Sequence, residues 1–90
     1  MLYMAIVTWD PDKRDEVVKR WQQIGSTVPE GMKVLGEWID LSGGRSFRLV
    51  DIATPDPRIA VQGNFAWNDL VKIESVAVME PEEMMKLMPT

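Results

Sequence analysis

Hydrophobic and polar positions along this chain change period several times, and each change marks an element. Leu2 to Trp9 is apolar throughout except for Thr8, as expected of a strand buried on both faces. Beyond it the spacing becomes helical. Asp10 can cap a helix, Pro11 fits its first position and Asp12 suits its positive end. Val17, Val18, Trp21 and Ile24 then recur on one stripe, with charged residues around the rest of the wheel. Gly25 stops this helix, and Ser26 to Gly31 reads as a loop.

Two further strands follow, Met32 to Leu41 and Ser46 to Ala53, joined by a hairpin turn at Ser42-Gly43-Gly44-Arg45. A turn of two or four residues pairs Trp38 with Leu49 and Gly36 with Asp51. Val34, Gly36, Trp38, Phe47, Leu49 and Asp51 then share one face, with Leu35, Glu37, Ile39, Arg48, Val50 and Ile52 on the other. Thr54-Pro55-Asp56-Pro57 opens a second helix with a stripe of Ile59, Gly63, Ala66, Trp67 and Leu70, ended by Asn68-Asp69. Leu70 to Met79 is the fourth strand, with Val71, Ile73, Ala77 and Met79 on one face. Glu80-Pro81-Glu82-Glu83 starts a short helix that runs to Met88 and stops at Pro89.

The order is β-α-β-β-α-β with a C-terminal helix, in one domain over residues 1–90. Two crossovers flanking a hairpin build a four-stranded antiparallel sheet of the α+β class, with the first and third strands central and both helices on one face. The first strand carries Leu2, Met4 and Ile6 on one side and Tyr3, Ala5, Val7 and Trp9 on the other. Two helices cover a single face, so the other requires a partner, and a second sheet is the economical one.

Composition strengthens that expectation. Hydrophobic residues make up 46% of 90 residues, with four Trp and seven Met. A chain this short buries only about 60% of its unfolded surface on folding. It has no Cys and no His, which removes disulfides, the usual zinc sites, thiolate nucleophiles, an imidazole base and a proximal haem ligand. No dinucleotide or phosphate-loop glycine motif occurs, and no cofactor is expected. The net charge of −4 disfavours nucleic acid. The βαββαβ order is also that of RNA-recognition modules, but SFRLVDIA in the third strand has one aromatic and no basic RNP pattern. The N-terminal segment lacks the basic region and cleavage site of a signal peptide, and no apolar run approaches a membrane span. A cytoplasmic location is expected.

The charged first helix with Trp21, Pro29-Glu30-Gly31 before the second strand, Trp38 within it, and Trp67-Asn68-Asp69-Leu70-Val71 entering the fourth resemble an uncharacterised bacterial and archaeal domain family. That family belongs to the dimeric α/β-barrel superfamily. The resemblance covers nearly the whole chain and implies a ferredoxin-like protomer, a homodimer joined sheet to sheet, and a cavity. The superfamily includes cofactor-independent monooxygenases, isomerases and ligand-sensing domains, so it implies a shape more than a reaction.

Tyr3, Trp9, Trp38, Phe47 and Asp51 are the candidate residues around a pocket for a small apolar or aromatic molecule. A desolvated Asp51 would serve as a proton acceptor. The competing reading makes Trp38 and Phe47 cross-strand packing and Asp51 a strand-end or capping acid. Glu37 and Arg48 read as a cross-strand ion pair on the opposite face. Three functions stay open: a homodimer that binds a small molecule, a cofactor-free oxygenase or isomerase, and an interaction module whose sheet mediates assembly.

Overall fold

The computed structural model describes residues 1–25, 28–53 and 58–89. Its elements run β1 (Leu2–Thr8), α1 (Arg14–Ile24), β2 (Met32–Ile39), β3 (Arg45–Ile52), α2 (Arg58–Phe65), β4 (Lys72–Val78) and α3 (Pro81–Leu87). The strands form one antiparallel sheet in the order β2-β3-β1-β4, with β1 and β3 central. This α+β arrangement is consistent with a ferredoxin-like fold.

The first helix begins later than its capping sequence predicts. Asp10 is extended and its side chain makes no capping bond. Instead Pro11–Lys13 forms a 3₁₀ turn, closed by the Lys13 N–H donating to the Asp10 carbonyl at 2.9 Å. Gly25 ends α1 at φ 59°, a left-handed value that favours glycine, and its N–H donates to the Trp21 carbonyl. The expected opening of the second helix at Thr54–Pro57 lies outside the described residues.

The β2–β3 turn occupies Leu41–Gly44, one residue earlier than expected. The Asp40 N–H donates to the Arg45 carbonyl at 2.9 Å, and the Asp40 carboxylate accepts from the Ser42 N–H and Arg45 Nε, each at 3.0 Å. The Ser42 N–H, and after it Arg45, hold the Asp40 carboxyl below its ordinary value. This turn places Trp38 opposite Phe47 and Gly36 opposite Leu49, two residues from the expected pairing. An even shift preserves the faces, but the register slips at Leu35. Val34 stands opposite Val50 and Gly36 opposite Leu49. The extra residue is a β-bulge, and it sends Val34 to the face opposite Gly36 and Trp38.

Helix α1 packs on the side of the sheet that carries Val7, Trp9 and Ile73, where Val17 meets Leu70 and Val71. Trp67, just beyond α2, packs against the same cluster. Among the described residues five hydrophobic side chains are buried: Val17, Val50, Ile52, Leu70 and Val71. By register Val50 and Ile52 also belong to this covered face. The opposite, open face presents Leu2, Met4 and Ile6 of β1, Phe47 and Leu49 of β3, Trp38 of β2, and Val76 and Val78 of β4. Every residue of α3 is exposed, including Met84, Met85 and Leu87.

The protomer is correspondingly extended. Its radius of gyration is 14.7 Å, against about 12 Å for a compact chain of this length. Its accessible surface is 6920 Å², against about 5,400 Å² for a folded monomer of this mass. Among the described residues no helix is long and apolar enough to cross a membrane.

Candidate functional site

Three rows of side chains cross the covered face. In strand order β4-β1-β3-β2 they are Ala77-Tyr3-Val50-Val34, Ser75-Ala5-Arg48-Glu37 and Ile73-Val7-Ser46-Ile39. The middle row is small at Ser75 and Ala5 and charged at Arg48 and Glu37, while the row before it is bulky. Low relief at Ala5 and at neighbouring Ser46 leaves a cleft of about 400 Å³ between the sheet and α1, a volume within the usual range for small-molecule sites.

Its roof is the Val17-Val18-Trp21 stripe of α1. Trp9 and Trp67 line one end, with Asn64 from the end of α2, and Ile39 lies toward the β2 edge. Val17 is buried, but Trp21 is 47% exposed and Val18 48%. The helix is therefore seated on Val17 and leans its other apolar residues over the opening.

A guanidinium clamp holds the Trp67 wall. Arg20 Nη1 donates to the Ala66 carbonyl at 3.1 Å, and Nη1 and Nη2 donate to the two Asp69 carboxylate oxygens at 2.5 and 3.0 Å. The same guanidinium lies 6.0 Å from the Trp67 ring centroid. Hydrogen bonding to Arg20 holds the Asp69 carboxyl below its ordinary value, and the reciprocal bond raises Arg20. A planar fork makes these contacts together where a lysine ammonium would not.

The polar end of the cleft is Arg48 and Glu37, directly opposite each other on β3 and β2. Arg48 Nη2 donates to Glu37 Oε1 at 3.3 Å, with the side chains 23% and 26% exposed. That separation is long for a charge-assisted bond, which prefers about 2.7–2.9 Å. Trp9 Nε1 is buried with no acceptor among the described residues. A shallower, more polar hollow of about 350 Å³ lies beyond Trp9, with Lys13, Lys72, Asp10 and Asp69 around it. Its mixed charges select no ligand class. Among the described residues no acidic cluster could hold a metal ion.

The five residues expected around one pocket are divided between the faces. Trp9 lines the cleft. Tyr3 shares its face but stands in the neighbouring row, its hydroxyl donating to Met1 Sδ at 3.4 Å. Trp38 and Phe47 are a directly opposed pair on the open face. Asp51 lies on that open face at the end of β3, opposite Leu2 and Lys33, and accepts from the Met1 ammonium at 3.1 Å. Its carboxylate is half exposed rather than desolvated. Nor is there room above Gly36 beside Trp38, because a Cβ there would run into the Trp38 ring. The register between β1 and β3, strands far apart in sequence, decides this division, and no local turn encodes it. The cleft's charged pair is the feature that sequence reasoning set aside. Its only signal was two opposite charges on strand positions that share a face with Val50 and Ile52.

The family model described as a domain of unknown function, DUF3303, matches residues 1–90. The chain belongs to this family. No curated protein and no solved structure matches it significantly, so the chemistry of this DUF3303 domain has to be argued from its own geometry.

Proposed function

We propose that this DUF3303 domain is a homodimeric small-molecule-binding protein of the dimeric α/β-barrel type. Each protomer holds a small, mainly apolar or aromatic molecule in the cleft between α1 and the sheet. The observation that carries the binding reading is the cleft itself: about 400 Å³ beneath a half-exposed helix stripe, walled by tryptophans. Such sites are mostly apolar with a few placed polar groups. The dimer reading rests on the open face, whose central strands and Trp38 present an apolar surface that no described element covers. The accessible surface exceeds that of a folded monomer by roughly 1,500 Å², and a standard interface takes about 800 Å² from each partner. Trp38, Phe47 and Asp51 would then lie at the interface.

Light scattering at micromolar concentration should return twice the 10.3 kDa chain mass, and a monomer there ends the dimer reading. Calorimetric titration with 2-naphthalenemethanol, a neutral aromatic probe, should give one site per chain, and Ala5→Leu, which fills the cleft floor, should abolish it. A dimer that binds neither this alcohol nor the matching acid would be an interaction module, the reading the open face favours on its own.

A further inference from the structure

The charged pair at the end of the cleft narrows the ligand class, on the reading that the cleft binds a small molecule. Arg48 occupies the middle row of the covered face on a central strand, beside Ala5. An apolar side chain there would pack against α1 without desolvating a charge, and replacing a buried ion pair by apolar residues is often neutral or stabilising. Fold stability is thus a poor reason for this arginine.

Its bonding also leaves capacity. A guanidinium has five N–H donors in a planar fork. Among the described residues Arg48 uses one, at 3.3 Å to Glu37, while the side chain lines the cleft. Ala5 and Ser46, its small neighbours, leave its flank open toward the apolar volume under α1. The arrangement is an apolar slot with a fork-shaped anion receptor at one end and Trp9 and Trp67 further along.

We infer that the cleft selects amphipathic organic anions, an aromatic or apolar body carrying one carboxylate or comparable oxyanion, with Arg48 as the specificity-determining residue. The anion's two oxygens would take the fork of Arg48, and Glu37 would act as its competitor. In the empty site Glu37 balances the guanidinium charge, and on binding it yields part of that contact. A neutral alcohol of the same shape accepts at most one uncharged hydrogen bond from Arg48 and cannot match its charge or its fork.

Isothermal titration of the purified protein with 2-naphthoate and 2-naphthalenemethanol tests this. The acid should bind about tenfold or more tightly than the alcohol, the ratio that one charge-assisted hydrogen bond commands. Arg48→Met should lose the preference for the acid or reverse it, because the Glu37 carboxylate stays behind without its counter-charge. Glu37→Gln should widen the preference for the acid, because it removes the competing carboxylate while conserving volume, and a merely structural pair predicts no such gain. Equal affinity of the parent for both probes would overturn the inference and leave the binding reading standing, and binding of neither would overturn both. Should Arg48→Met fail to fold, the Glu37→Gln titration decides: an unchanged or narrowed acid preference overturns the inference.

Discussion

At their middle rows the two faces of this sheet carry chemistry opposite to what their surroundings would suggest. The face beneath α1 includes Ser46, Ser75, Arg48 and Glu37 among its apolar side chains. The open face is apolar at its centre, with Leu2, Met4, Ile6, Phe47, Leu49, Trp38, Val76 and Val78, and polar toward its ends, with Asp51, Lys33, Glu74, Arg45 and Lys72. In an antiparallel sheet packed on one side and wetted on the other, the alternation runs apolar inward and polar outward. Here the middle row of the open side, Val76-Met4-Leu49-Gly36, is wholly apolar, while the middle row of the covered side ends in the charged pair Arg48-Glu37. The contrast supports the proposed reading of the open face as an interface, while the covered face gives up part of its packing to a cleft.

The open face should be the most sensitive to substitution. Leu49 sits between Met4 and Gly36 at the middle of that face. Leu49→Lys would put an unpaired charge into a sheet-to-sheet interface, and the dimer dissociation constant should rise about a hundredfold or more. Sedimentation equilibrium reads this directly. An undisturbed dimer would return the open face to solvent and remove the contrast.

The covered face responds through stability. Leu70, 6% exposed in the cluster with Val17 and Val71, should lose about 2–5 kcal/mol on replacement by alanine in urea melts. Trp21 sharpens the picture. Its helical spacing with Val17 and Ile24 puts it against the sheet, yet half of it is exposed. Trp21→Ala should cost about 1 kcal/mol, in keeping with partial burial of one aromatic. A loss as large as that at Leu70 would mean that α1 rolls to bury the tryptophan and closes the cleft.

The smallest effect concerns the clamp behind Trp67. Asp69 titrates below its ordinary value because Arg20 bonds its charged form. The unfolded chain therefore takes up its proton first as pH falls. The clamp contributes fully above the ordinary carboxylate range, about pH 4, and its contribution is lost as pH drops through the lower folded value. Asp69→Asn should flatten this part of the acid limb in melts from pH 6 to pH 2. An unchanged slope would show that the pair is solvated and does not hold the cleft wall.

Element order, the central strands and the strand faces were legible because each depends on local periodicity and on topology that few chains escape. Leu2–Thr8 reads as a doubly packed strand in any register. Apart from Val34, the hairpin faces survived a two-residue error in pairing because side chains alternate with period two. What local pattern could not supply was the pairing of β1 with β3, which sets Trp9 and Tyr3 on one side and Trp38, Phe47 and Asp51 on the other. The bulge was equally hidden, since Val34, Leu35 and Gly36 alternate as acceptably without it. The role of Arg48 was obscured for a related reason: a cross-strand ion pair looks the same in sequence whether it faces water or the underside of a helix.

That bulge also bears on how such a sheet avoids growing. Strand β2 lies at one rim, where unpaired backbone groups would template another strand. Leu35 interrupts the regular spacing of those groups midway along β2, and the added local twist turns the rim away from a flat neighbour. At the other rim β4 carries Lys72 and Glu74, charges of the kind that discourage edge pairing. With both rims blunted, the proposed association through the open face would close after two copies, whereas edge-to-edge addition would continue without limit into a fibre.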